Sequence, residues 1–88
     1  MKPLAGIRIL DFTTLLPGPL ATLMLSDAGA EVIKIEKIGG EEMRNAEPKV
    51  SDNSVLFAML NRGKKSVEVN LKNPVYREKI KKLIKKSD

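Results

Sequence analysis

Eighty-eight residues allow one small domain, and a chain this short hides only roughly 60–65% of its unfolded surface, so little stability is in reserve. Cysteine and histidine are both absent, which removes disulfides, thiolate nucleophiles, the usual general base near neutral pH and the commonest metal ligand. A net charge of +5 favours anionic partners without naming one, no apolar run approaches a membrane span, and Arg8 and Asp11 interrupt any secretory start, so the expected compartment is the cytoplasm.

Ile7-Arg8-Ile9-Leu10-Asp11-Phe12 is short, branched and apolar and follows a glycine, which predicts a strand. Pro17-Gly18-Pro19 breaks the chain next, with Pro19 suited to a first helical position, where its missing N–H costs nothing. Leu20 to Asp27 then reads as helix, ended by Gly29 in a left-handed conformation.

Ala30 to Glu36 is a second strand built on Val32, Ile33 and Ile35. Gly39-Gly40 opens a polar stretch to about Asn53, long enough to be functional or mobile. Ser54 to Asn61 reads as a short helix and Ser66 to Leu71 as a third strand. Asn73 caps a last helix that begins at Pro74, with Tyr76, Ile80, Leu83 and Ile84 on one face and its lysines mostly elsewhere.

The β-α-β-α-β-α order predicts an α/β fold: a Rossmann-like, three-layer arrangement on a short parallel sheet with right-handed crossovers. Arg8, Lys34 and Glu68 sit among apolar neighbours in their strands and are expected on one face, since burying them unpaired would be costly. The helices carrying Leu20–Leu25 and Val55–Leu60 are apolar on several sides, more than three strands can cover. Residues 1–88 therefore read as part of an incomplete larger domain, completed by more chain or by a second subunit, and self-association through these helices is expected.

The first strand–turn–helix unit, with Glu36 after the second strand, invites a dinucleotide-binding reading. Only Gly18 stands where that fingerprint needs three glycines, and Pro17 and Pro19 lack the amide hydrogens that would hold a pyrophosphate. A P-loop fails for want of its lysine-serine/threonine ending. Parallel strands deliver their carboxyl ends to one edge, where open α/β folds bind ligands, so Lys37 and Lys72 should converge there beside Leu15, Leu16 and Pro17. Two ammonium groups beside an apolar loop suit a phosphorylated nucleotide with a flat base.

Three stretches, Pro3–Phe12 with Pro17-Gly18-Pro19, Asp27–Glu36, and Leu60–Lys72, together resemble the opening of the family III CoA-transferases, a group that includes α-methylacyl-CoA racemases. The resemblance implies a coenzyme A site filled by an acyl-CoA, with no metal. It places at the cofactor the positions of Lys37, of Val69, Asn70, Leu71 and Lys72, and of Leu15, Leu16 and Pro17. The family's usual residue at Lys37 is arginine, so charge is kept here while the planar fork is lost. Asn70 stands where aspartate is commoner. The family's catalytic aspartate, or its histidine and aspartate in racemases, has no counterpart among these residues, so no catalytic residue is assigned and the chain alone is expected to be inactive. Asp11 reads as structural. Pro17-Gly18-Pro19 and Asn61–Ser66 lean slightly to the racemase branch. Family members are interlocked dimers, which implies a partner subunit.

Two rival readings are an interaction module derived from this fold and a basic nucleic-acid-binding domain. The latter usually brings stacking aromatics or clustered arginines, and here only Phe12, Phe57 and Tyr76 are aromatic, so nucleic acid is not expected as a partner. The last helix could lie on an anionic membrane, but its apolar stripe is short and lacks tryptophan, so no membrane partner is expected either.

Overall fold

A computed structural model describes residues 2–88. Strand β1 (Arg8–Asp11) leads to helix α1 (Pro17–Asp27), strand β2 (Glu31–Glu36), a 3-10 turn (Glu42–Asn45), a small hairpin of β3 (Lys49–Val50) and β4 (Asn53–Ser54), helix α2 (Val55–Leu60), strand β5 (Lys65–Glu68) and helix α3 (Pro74–Lys85). The main sheet is parallel, in the order β1-β2-β5. No helix among the described residues is long and apolar enough to cross a membrane.

Helix α1 begins two residues earlier than the proline spacing predicts, with Pro17 and Pro19 both inside its first turn. The first amides of a helix have no intrahelical acceptor, so neither proline forfeits a hydrogen bond there. Gly18 is required for a different reason: a Cβ at this position would fall 2.4 Å from the Cβ of Thr13. At the other end Gly29, with φ +107°, lets the chain turn directly into β2. Helices α2 and α3 are capped by side chains, Phe57 N–H donating to Ser54 Oγ and Val75 N–H to Asn73 Oδ1.

The polar stretch after Gly40 is ordered. Its hairpin turns on Ser51 and Asp52, both at positive φ, between the paired residues Val50 and Asn53. Two successive left-handed residues are what a tight two-residue hairpin needs to match strand twist.

The two faces of the sheet differ in chemistry. One carries Ile33, Ile35 and Val69 against Ile80 of α3, with Leu10 and Leu83 packed alongside. Tyr76 and Ile84, expected on the same stripe of α3, are largely exposed, because three strands cover only part of that helix. The opposite face, toward α1, presents Asp11, Lys34, Glu36 and Ser66. Lys34 pairs in register with Asp11 and Ser66, and Glu36 with Glu68, so Lys34 and Glu68 do share a face. Arg8 does not: it stands in register with Glu31, on the other face, and forms its ion pair there. Beyond α3, the Asp88 N–H donates to Arg8 O while Arg8 N–H donates to the Asp88 carboxylate, so the chain returns to the outer edge of β1.

Candidate functional site

At the carboxyl ends of the three main strands lies a cleft of about 690 Å³. Each strand supplies one wall. The end of β1 gives Phe12 and Thr14, the end of β2 gives Ile35 to Ile38, and the segment after β5 gives Val69 to Lys72; Glu41 and Glu42 close the side nearest the 3-10 turn. Thus Lys37, Val69, Asn70, Leu71 and Lys72 line a single cleft, as parallel strands require of residues at their tips. Leu15, Leu16 and Pro17 are not among its lining residues. Leu15 turns the chain with φ +67° and Pro17 is already in α1, so the loop offers Phe12 and Thr14 to the cleft instead.

Beneath the cleft, charged side chains are buried between sheet and helices. Lys34 and Glu41 are each 1% exposed, with Lys34 Nζ 2.6 Å from Glu41 Oε2. This is a charge contact without hydrogen-bond alignment, and Glu41 Oε1 has no hydrogen-bond partner among the described residues. Lys34 Nζ also donates to the carbonyl oxygen of Thr13 at 3.0 Å. Lys64, equally buried, donates to Asn61 Oδ1, to Pro19 O and to Asp11 Oδ2. Burial pushes the Lys64 ammonium below its usual pKa against the opposing pull of Asp11.

Asp11 accepts from Thr13 N–H, Thr13 Oγ1, Thr22 Oγ1 and Lys64. Burial alone would raise its pKa, but the hydrogen bonds from Thr13 and Thr22 outweigh it and hold the carboxyl below the usual range. With its oxygens occupied and almost no exposure, Asp11 has no free basicity to offer a ligand. Glu36 is likewise engaged. Arg44 grips it through two hydrogen bonds, Ser66 Oγ and the Glu41 N–H donate to it as well, and its pKa falls to about 2, led by the Arg44 bond. The Arg44 guanidinium also lies 4.1 Å from the centre of the Phe57 ring. A Cβ on Gly40 would strike Arg44 Cδ at 2.5 Å, so glycine there keeps this arginine in place. The acidic residue at the tip of β2 therefore serves the fold and not a ribose.

Sequence reasoning missed Glu41 and Arg44, which lay in a stretch read only as polar. Lys34 in the middle of an otherwise apolar strand was the available signal that acceptors had to lie beneath the sheet. Among the described residues no three carboxylates or imidazoles gather where a metal ion could sit. Apart from the buried Glu36 and Glu41, the lining combines the apolar Phe12, Ile35, Val69 and Leu71 with Lys37 and Lys72 and the exposed carboxylate of Glu42. Such a lining suits an anionic, partly flat ligand.

A cleft at the strand tips of an open parallel sheet makes this an α/β protein of the kind that takes ligands at its strand ends. The chain belongs to CoA-transferase family III, whose family model matches residues 4–88. It is 53% identical over 76 residues to the succinyl-CoA:glutarate CoA-transferase of Mus musculus, a match covering 84% of this chain and 17% of that protein. It is 40% identical to the succinyl-CoA:mesaconate CoA-transferase of Haloarcula marismortui, covering 100% of this chain and 24% of that protein. The fold superposes on that of Rv3272 from Mycobacterium tuberculosis with a TM-score of 0.91 at 44% identity, covering 100% of this chain and 24% of the other. A CaiB/BaiF family protein from Brucella suis gives 0.91 at 30% identity, with 99% and 24% covered. The chain thus spans about a quarter or less of the length of these relatives.

Proposed function

We propose that this chain forms the coenzyme-A-binding part of a CoA-transferase, taking the phosphorylated nucleotide end of an acyl-CoA at the tips of β2 and β5. The observation that carries this reading is the meeting of Lys37 and Lys72 in one cleft above an apolar floor. The ammonium groups neutralise phosphate charge, while Val69 and Leu71 offer apolar side chains to the adenosine. Leu15, Leu16 and Pro17 lie outside the cleft lining and are assigned to the thioester end of the ligand. The relatives named above as transferases support that reaction class over the racemase branch. In this reading the groups that perform acyl exchange come from outside these residues, since Asp11, Glu36 and Glu41 are buried in the fold and Glu42 stands at the exposed rim beside Lys37. The exposed apolar sides of α1 and α2, where Met24 is 64% and Met59 58% exposed, pack against the remainder of the family fold or a second subunit in the cytoplasm.

Calorimetric titration with CoA tests the site. Binding should weaken about tenfold in each of Lys37→Ala and Lys72→Ala, the loss expected for removing one phosphate contact of about 1.4 kcal/mol. Unchanged affinity in both variants would refute the placement.

A further inference from the structure

Charge buried under a sheet usually returns little net stability, because an apolar pair of similar volume often does as well or better. The Lys34–Glu41 pair is therefore poorly explained as a source of stability alone. Its placement offers another explanation. Lys34 Nζ reaches the Thr13 carbonyl, one residue before Thr14 in the cleft wall after β1. The same nitrogen reaches Glu41, which with Glu42 lies in the wall after β2. Each of these attachments is itself held from behind: Thr13 by its N–H and hydroxyl bonds to Asp11, Glu41 by its N–H bond to Glu36. A single ammonium group at the sheet face thus ties together two loops that are far apart in the chain.

We infer that Lys34 is a positioning residue, which touches no ligand itself but fixes the separation of the two loops between which the ligand binds. This deepens the coenzyme A reading and rests on it for the identity of the ligand. Tied loops enter binding already ordered; released loops must be ordered by the ligand, at the expense of affinity.

The test compares the wild-type chain with Lys34→Met/Glu41→Leu, which swaps the pair for apolar groups of similar size and leaves neither charge buried alone. CoA titrations are read for both Kd and stoichiometry, and amide hydrogen exchange is followed over residues 12–16 and 38–44. In the double variant the amides of β1, β2 and β5 should stay protected, both loops should exchange faster together, and Kd should rise about tenfold at unchanged stoichiometry, as ordering one or two further segments would cost. Unchanged loop protection and Kd in the double variant would overturn the inference. So would loss of strand protection with reduced stoichiometry, which marks a purely structural role, or a rise in Kd without faster loop exchange, which marks a direct contact. A wild-type chain that gives no heat with CoA would count against the coenzyme site, while the exchange comparison would still decide whether Lys34 holds the loops.

Discussion

Glu36 and Arg44 meet through two parallel hydrogen bonds of 2.7 Å, Nε to Oε1 and Nη2 to Oε2, joining the tip of β2 to the 3-10 turn. The glutamate pKa falls from 4.5 to about 2, chiefly through this contact. Because the folded-state pKa is the lower one, the associated stability is fully present above the unfolded value and drains away as pH falls from about 4.5 toward 2. At roughly 1.4 kcal/mol per unit the contribution is about 3 kcal/mol. Thermal melts should therefore show a falling Tm across that acid window, and Glu36→Gln should flatten this slope while lowering Tm at neutral pH. An unaltered slope would disprove the assignment.

Lys64 is sealed between β1, α1 and the end of α2, with Asp11, Pro19 O and Asn61 as partners. Lys64→Met should destabilise the fold by about 3 kcal/mol or more, since it removes the cation in contact with the buried Asp11 carboxylate and leaves Pro19 O and Asn61 Oδ1 without its donor. Adding Asp11→Asn should restore part of that loss. Denaturant unfolding of the two variants checks both expectations.

Gly18→Ala should cost about 1–3 kcal/mol through overpacking, because the added methyl meets Thr13 across the start of α1. Gly39→Ala meets no atom within 4 Å but is forced to adopt φ +92°, so its smaller loss should come from backbone conformation alone. Chemical denaturation of the pair separates packing from conformation.

Lys37 stands 3.8 Å from Glu42 at the rim of the cleft, both well exposed. A phosphate must compete with that carboxylate for the ammonium group. Glu42→Gln should therefore tighten CoA binding about twofold to threefold, the scale of an exposed ion pair, with Tm unmoved. Weaker binding in this variant would show that Glu42 assists the ligand instead.

The strands were legible because branched apolar runs bounded by glycine have few other solutions, and the rule that parallel strands end at one edge brought Lys37 and Lys72 together before any coordinates. Alternation along each strand told that Lys34 and Glu68 needed partners, yet it could not tell how β1 aligns with β2, and Arg8 consequently belongs to the other face. Pro17 looked like part of a break ahead of a helix starting at Pro19 and proved to lie inside that helix's first turn, whose amides have no acceptors to lose. Arg44 and Glu41 escaped notice for a plainer reason. Their importance comes from contacts closed by the fold of the Gly39–Asn53 stretch, and no local pattern announces which polar residues of a loop will be drawn inward.

The opposed characters of the two sheet faces also constrain how the strands can assemble. A slip of β2 by one position would send Lys34 and Glu36 into the pocket now filled by Ile33 and Ile35, and push those isoleucines among the carboxylates. Misaligned pairings are thereby penalised on both sides at once. The interior charges act as a lock against slips of one residue, which would exchange the two faces.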